Sequence, residues 1–185
     1  MNGKEILIVI DMQKDFLDGA MPNADAAAIV DGIVQEITEW KGDVFYTKDT
    51  HGPDFKQTLE GGLPEHCIRF SDGWQFEPKI QKALDAANAT CIEKPTFGYL
   101  GWAHTLIGVS SEDQSALAAL GKAKIKRIRL VGTCTDICVI SNALILRAMF
   151  KDTPIEVVAS KCAATSKGNQ DAALSVMGVC GITVC

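Results

Sequence analysis

The sequence has no apolar run near the roughly 20 residues that a membrane-spanning helix needs. It has no excess of basic residues either, because 18 lysines and arginines stand against 23 aspartates and glutamates, which gives a formal net charge of −5. A mildly acidic chain offers no electrostatic footprint for nucleic acid or for an anionic membrane surface. We therefore expect no nucleic-acid partner and no membrane partner.

The chain also lacks the sequence features of an exported protein. Lys4 and Glu5 place charges so early, and the apolar run after them is so short, that no signal peptide is indicated. Its 7 cysteines are odd in number and are scattered along the chain. This pattern favours reduced thiols in the cytoplasm over a disulfide framework.

The composition that is present is that of an ordinary globular domain. The 185 residues include 47% hydrophobic and 22% charged side chains, which is enough apolar material for a full core. A split would leave two halves near the lower limit of domain size. We therefore predict a single domain over residues 1–185.

Short apolar runs alternate with amphipathic segments along the whole chain. The predicted strands are residues 6–10, 43–47, 90–93, 128–131, 155–159 and 182–184. The predicted helices are residues 24–40, 74–87, 112–123, 136–150 and 170–180. This alternation predicts an α/β fold, a three-layer αβα sandwich around a six-stranded, mostly parallel sheet of the Rossmann-like type. Ligand sites in such sheets lie beyond the carboxyl ends of the strands.

Three chemically useful side chains follow predicted strands. Asp11 closes the first strand, Lys94 follows the third, and Cys138 comes where the helix after the fourth begins. Taken singly, they have ordinary interpretations as a helix cap, a solvated lysine and a small core residue. Taken together, a helix N-terminus and an ammonium favour the thiolate, and a carboxylate can accept and return the thiol proton. The set is suited to acyl transfer through a thioester.

Three segments of the chain resemble the motifs of one family. Residues 8–16 (IVIDMQKDF), 94–98 (KPTFG) and 132–139 (GTCTDICV) resemble the opening strand, the lysine motif and the nucleophile turn of the isochorismatase-like cysteine hydrolases, which include nicotinamidases. The motifs occur in order, with compatible spacings, over nearly the whole chain. The resemblance is specific for the family and much less specific for the substrate.

The resemblance implies a role for each matching residue. Asp11, Lys94 and Cys138 would form the catalytic triad. The Thr133–Cys134 peptide bond would be cis, and the backbone N–H groups of Cys134 and Cys138 would form an oxyanion hole. A disulfide or a metal-binding pair between Cys134 and Cys138 is the alternative interpretation of that turn.

A second cluster has the pattern of a metal site. Asp49 and His51 lie two apart after a strand and so point the same way, and His66 can supply a third ligand. Such ligands suit a divalent transition ion, zinc first, while surface hydrogen bonding is the ordinary alternative. The segments DTH (49–51) and PEHC (64–67) resemble the metal motif of nicotinamidases, which implies an ion beside the triad that takes the substrate's ring nitrogen. Gln57 stands near the place where some of these enzymes supply another histidine.

Some of the residues expected to surround the substrate differ from the family pattern. The resemblance implies that Phe16, Thr133 and Cys134 contact the substrate. Leu63 and Ile137 replace residues that are often aromatic or histidine in nicotinamidases. The triad residues thus match the family pattern more closely than the residues that would recognise the ring of the substrate.

The predicted function is that of a cysteine-dependent amidohydrolase of a small carboxamide. Nicotinamide, hydrolysed to nicotinate and ammonia through a thioester acyl-enzyme, is the first candidate. The alternatives are a cysteine hydrolase of another small amide, such as an N-carbamoyl compound, and a non-catalytic relative that only binds a small ligand. Isochorismate hydrolysis is disfavoured because that branch lacks the nucleophilic cysteine. The resemblance also implies a homo-oligomer.

Overall fold

The structure, a computed structural model, describes residues 3–58, 60–109 and 124–185. Its strands are β1 Lys4–Ile10, β2 Asp43–Asp49, β3 Thr90–Lys94, β4 Ile125–Thr133, β5 Ile155–Ala163 and β6 Thr183–Val184. The α-helices of these residues are α1 Ala24–Ala28, α2 Val30–Glu39, α3 Pro78–Ala86, α4 Trp102–Ile107, α5 Ile140–Met149 and α6 Lys167–Val179. Two 3₁₀ turns, Lys14–Phe16 and Phe55–Gln57, and a π-helical turn, Thr135–Val139, complete the set.

The six strands form one sheet in the order β3-β2-β1-β4-β5-β6. Every strand pair is parallel, so the predicted α/β sandwich is confirmed with a sheet that is wholly rather than mostly parallel. The chain runs outward from β1 to β3 and then returns to pair β4 with the other side of β1. The carboxyl ends of β1 and β4 therefore flank the switch point where ligands bind in such sheets.

The apolar run of β1 explains why the sheet is covered on both faces. Ile6, Ile8 and Ile10 pack with α4, α5 and α6, whereas Leu7 and Val9 pack with α1, α2 and α3. All five of these side chains are at most 1% exposed. Each contributes about 1.5–3 kcal/mol by burial, which makes a run without alternation the strongest local signal of a central parallel strand.

Two predicted helices have different bounds in the structure. The helix expected over residues 24–40 is two helices, because the Ile29 N–H bonds to Ala27 O and ends α1 before α2 begins. The helix expected from Trp74 begins only at Pro78, where Glu77 caps it by accepting from Ile80 N–H. Proline at the first helical position fits this start, since its missing N–H is not needed there.

Other differences concern residues after β3. Helix α4 was not predicted, and the helix expected over residues 136–150 starts instead as the π-helical turn Thr135–Val139 before α5. The helix predicted over residues 112–123 lies outside the described residues. Among the helices that the structure describes, none combines the length and the apolarity that crossing a membrane would require.

Candidate active site

The carboxyl ends of four neighbouring strands bring the predicted site residues together. Asp11 follows β1, Asp49 ends β2, Lys94 ends β3 and Thr133 ends β4. Because all four strands are parallel and adjacent, these positions share one edge of the sheet. The π-helical turn that follows β4 carries Cys138 to the same edge.

Asp11 is held in place by its neighbour on β2. Its backbone has φ 47°, a left-handed conformation that is uncommon outside glycine and is often found at functional sites. Its N–H donates to Thr47 O at 3.2 Å, and the Thr47 hydroxyl donates to Asp11 Oδ1 at 2.6 Å. The carboxylate is fully buried, so its second oxygen is presented to the site in a fixed direction.

Lys94 contacts both of the other residues of the predicted triad. Its ammonium lies 2.7 Å from Asp11 Oδ2 and 3.6 Å from Cys138 Sγ, and it is also 3.4 Å from Asp49 Oδ1. The side chain is completely buried. A buried ammonium needs anionic partners to offset its desolvation, and Asp11 and Asp49 supply them.

The turn after β4 depends on a close approach between two strands. Gly132 has φ 121°, and a Cβ atom there would lie 2.2 Å from Ile10 O, so only glycine fits beside β1. The Thr133–Cys134 peptide bond that follows is cis, as the family resemblance implied. The Cys134 N–H donates to no backbone carbonyl of the described residues.

Burial and charge act in opposite directions on the thiol of the predicted triad. Burial raises the pKa of Cys138 well above its ordinary value, and the Lys94 ammonium opposes that rise only in part because Asp11 and Asp49 add to it. Burial also raises the pKa of Asp11, against the effect of Lys94. The Lys94 ammonium therefore favours the thiolate, while burial favours the thiol.

The three predicted metal ligands form one buried cluster. Asp49 Oδ2 lies 3.0 Å from His51 Nε2 and 3.3 Å from His66 Nε2. One ligand atom from each of the three residues falls within 4.8 Å of the others. His66 Nδ1 is 2.8 Å from Pro64 O, a contact that leaves Nε2 directed at the cluster. Residues that bind a metal through imidazole and carboxylate are usually arranged in this way.

Glu60 belongs to this cluster and was not predicted. Its Oε2 lies 3.7 Å from His51 Nε2, and this buried oxygen has no hydrogen-bond partner among the described residues. Burial and the nearby Asp49 raise the pKa of the Glu60 carboxyl, and His51, His66 and Lys94 oppose that rise only in part. An acidic residue between two candidate histidine ligands was a sequence signal that could have identified it.

Two polar residues of the opening motif fix the backbone around the cluster. Gln13 is fully buried, accepts from Asp49 N–H at 2.7 Å and donates to Asp49 O at 2.8 Å. Asp15 accepts from Cys67 N–H at 2.7 Å, next to His66 in the chain. A Cβ atom at Gly73 would lie 2.1 Å from the Asp15 carboxylate, which shows how tightly this support is packed.

A pocket of about 460 Å³, within the usual size range of ligand sites, is lined by residues that include Phe16, Pro64 and Cys134. Cys134 lies on the same turn as Cys138, and Phe16 contacts the His66 ring edge-on at 5.5 Å. The hydroxyl of buried Thr133 donates to Ala163 O at 3.0 Å, and this residue lies outside the lining. Of the three residues predicted to contact the substrate, Phe16 and Cys134 therefore line this pocket and Thr133 does not.

Buried acid, cation and thiol groups at one edge of a parallel sheet are typical of an α/β enzyme. A model of the isochorismatase domain matches residues 5–185, and the chain belongs to this family. The prediction of an isochorismatase-like enzyme of the hydrolase class, related to nicotinamidases, is therefore confirmed. No curated protein sequence matches the chain significantly.

Solved structures with the same fold include several amidases. A nicotinamidase/pyrazinamidase from Bacillus subtilis is 25% identical, with 98% of this chain and 99% of that chain covered and a TM-score of 0.76. A pyrazinamidase of Pyrococcus horikoshii in complex with zinc is 22% identical, with 98% of each chain covered and a TM-score of 0.73. PnC1 from L. infantum in complex with nicotinate is 21% identical, with 99% and 92% covered and a TM-score of 0.78.

Proposed function

We propose that the protein is a cysteine-dependent amidohydrolase of a small carboxamide, with nicotinamide as the first candidate substrate. The observation that carries this proposal is the contact of Lys94 with both Asp11 and Cys138 at the carboxyl edge of the sheet. Family membership and the amidase neighbours support an amide-hydrolysing enzyme. The products from nicotinamide would be nicotinate and ammonia.

Asp11 acts as the proton carrier in both halves of the proposed reaction. Its carboxylate takes the Cys138 proton as Sγ bonds to the amide carbon, and it then gives that proton to the nitrogen. The C–N bond breaks, ammonia leaves, and the acyl group remains on sulfur as a thioester. Water then attacks the thioester while Asp11 takes a proton from it and returns the proton to sulfur. Lys94 holds the Asp11 carboxylate in position throughout.

The negative charge that develops on the amide oxygen needs hydrogen-bond donors. We assign this role to the backbone N–H groups of Cys134 and Cys138. The Cys134 N–H has no backbone acceptor among the described residues, and Cys134 is one of the residues that line the pocket, which supports the assignment. Donors fixed before the reaction stabilise such an oxyanion without reorganisation at the moment of attack.

Asp49, His51 and His66 would hold a divalent ion, for which zinc is the first candidate, and Glu60 would complete the set. The unpartnered Glu60 oxygen and the three converging ligand atoms fit such an ion. When bound, the ion supplies a Lewis acid that can take a ring nitrogen of the substrate. The zinc complex of the Pyrococcus horikoshii neighbour is consistent with this choice.

The proposal is tested by ammonia release from a panel of small amides, with Cys138→Ala as the blank. The panel includes nicotinamide, pyrazinamide and N-carbamoyl compounds. Leu63 and Ile137 replace residues that are often aromatic or histidine in nicotinamidases, so the preferred substrate can differ from nicotinamide. Substrate-dependent ammonia that disappears in the blank establishes the amidase and ranks its substrates. If no amide of the panel releases ammonia although ligand binding is retained, the result would favour the non-catalytic relative.

Asp11→Asn is expected to fold normally and to lower kcat by about 10²–10⁴-fold, the usual contribution of general acid–base catalysis. Asparagine keeps the size of the side chain but cannot carry the thiol proton. Ammonia release and the thermal unfolding midpoint should be measured on the same preparation. Near-normal turnover would return Asp11 to a purely structural role.

Lys94→Met is expected to slow alkylation of Cys138 by iodoacetamide at neutral pH by about 10-fold or more. The ammonium opposes the burial of the thiolate, and an opposite charge at this distance typically shifts a pKa by about 1–3 units. Lys94→Arg should not restore the rate, because the larger planar group cannot occupy the same buried position. An unchanged rate in Lys94→Met would remove Lys94 from the triad.

A further inference from the structure

Asn142 is a fully buried polar residue in the first turn of α5, outside the motifs discussed above. Its Oδ1 accepts from Tyr99 N–H at 3.0 Å and from the Trp102 indole N–H at 2.9 Å. Its Nδ2 donates to Cys138 O at 2.8 Å and to Phe97 O at 3.1 Å. These four bonds use both donors and both acceptor positions of the amide.

The four partners belong to two segments of the chain that are distant in sequence. Phe97, Tyr99 and Trp102 lie on the chain that follows Lys94 at the end of β3. Cys138 lies on the turn that follows β4. The amide of Asn142 therefore joins the segment that carries the ammonium to the segment that carries the thiol.

We propose that Asn142 is a positioning residue that sets the distance between Lys94 Nζ and Cys138 Sγ. This inference rests on the proposed function. The two atoms are 3.6 Å apart although their strands, β3 and β4, are separated in the sheet by β2 and β1. Sheet pairing fixes the backbone of Lys94 opposite Asp49 but does not fix the turn that carries Cys138. Asn142 bonds that turn to the chain that follows Lys94. Misplacement of reacting groups by about 1 Å can cost on the order of 10²-fold in rate.

Leu146 provides a matched control for mere packing. It lies one turn further along α5, is fully buried in the same hydrophobic cluster as Trp102, and has no polar side-chain atoms. Leu146→Ala opens a cavity in the helix packing without touching the hydrogen bonds between the two loops. A loss of activity that comes only from a weakened helix should therefore appear in this variant as well.

The first test compares kcat and KM for nicotinamide in Asn142→Leu and Leu146→Ala, below the unfolding midpoint of each. Asn142→Leu is expected to lower kcat by about 10²-fold with KM within a few-fold, because the pocket lining is not altered. Leu146→Ala is expected to lower the unfolding midpoint while keeping kcat within a few-fold. Equal kcat losses in the two variants, or normal kcat in Asn142→Leu, would overturn the inference.

A double-mutant cycle tests whether Asn142 acts through Lys94. Asn142→Leu should slow Cys138 alkylation in the wild-type background and should have no further effect in Lys94→Met, because the charge to be positioned is gone. The same relative change in both backgrounds would indicate altered access and would overturn the inference. This readout needs no substrate, so failure of nicotinamide hydrolysis in the wild type would count against the proposed function alone.

If Asn142→Leu does not fold, Trp102→Phe tests the positioning role of Asn142 instead. Phenylalanine keeps an aromatic ring at this fully buried position, fills less of its volume and cannot donate the hydrogen bond to Asn142 Oδ1, so Leu146→Ala again serves as the control for lost packing. A kcat reduced several-fold with unchanged KM would support the positioning role. An unchanged kcat would overturn it.

Discussion

Cys138→Ala is expected to abolish amide hydrolysis, with a loss on the order of 10⁶-fold in kcat, as found when a covalent nucleophile is removed from other hydrolases. The thiol at this position is the one that Lys94 contacts, at 3.6 Å, and it is only 5% exposed. Burial raises the pKa of this thiol, so we expect its reactivity to depend on transfer of its proton to Asp11. Alanine removes the attacking atom, and water alone does not replace it.

The acyl-enzyme provides a direct measurement of this assignment. Mixing the protein with substrate and quenching in acid should leave one acyl group per chain, detectable by intact mass and mapped to Cys138. Cys134→Ala is the matched control, because Cys134 is also buried, lines the pocket and lies on the same turn. Acylation at Cys138 should persist in that control. The same mass shift in Cys138→Ala, or mapping to Cys134, would contradict the assignment.

The sheet and the ends of its strands could be predicted because their signals are local. The five-residue apolar run of β1 requires burial on both faces, and the polar residues that end each strand are adjacent to it in sequence. Helix bounds were less predictable, since the start of α3 depends on the Glu77 cap rather than on apolar spacing. The π-helical start at Thr135 has no periodic signature, because it is fixed by the turn packed against β1.

The site was predictable where chemistry and spacing coincide. Asp49 and His51, two apart after a strand, had to share a face, and the structure places their side chains 3.0 Å apart. Glu60 could have been identified because it is an acid between the two candidate histidine ligands in sequence, whereas Asn142 could not, since its role depends on contacts with the distant segment that follows β3. The raised pKa of the Cys138 thiol was also beyond sequence reasoning. The ammonium that favours the thiolate is visible as a motif, but the burial that outweighs it is a property of the packed fold.

Removal of the divalent ion is expected to abolish nicotinamide hydrolysis and to leave Cys138 reactive toward iodoacetamide. Asp49, His51 and His66 form a cluster that does not include the thiol, and Asp49 connects it to the triad through its contact with Lys94. The ion would orient the ring, whereas the triad would keep its own geometry. Chelator treatment, followed by ammonia release and thiol alkylation on the same sample, separates these two roles.

The metal content is expected to fall when a metal ligand is replaced and when the pH is lowered. We expect about one ion per chain by elemental analysis after growth and repurification with added zinc. Binding should be poor in His51→Ala and in His66→Ala, and weakened in Glu60→Gln. The chain has 3 histidines, and His104 is exposed on α4, so His104→Ala is the matched control and should bind normally. Histidine binds metal in its neutral form, so retention should fall as the pH drops through the histidine protonation range.

Two outcomes would show that the metal site and the hydrolytic triad are independent of each other. Protein that holds no ion after zinc supplementation would remove the metal site while leaving the triad to be tested by acylation. Full nicotinamide hydrolysis in the His51→Ala/His66→Ala double variant would keep the amidase but deny the ion a role in binding the ring. The cluster contacts Lys94 through Asp49 Oδ1 at 3.4 Å, so loss of the ion is expected to disturb the triad less than loss of Lys94 itself. Alkylation of Cys138 in the double variant should therefore stay closer to the wild-type rate than in Lys94→Met.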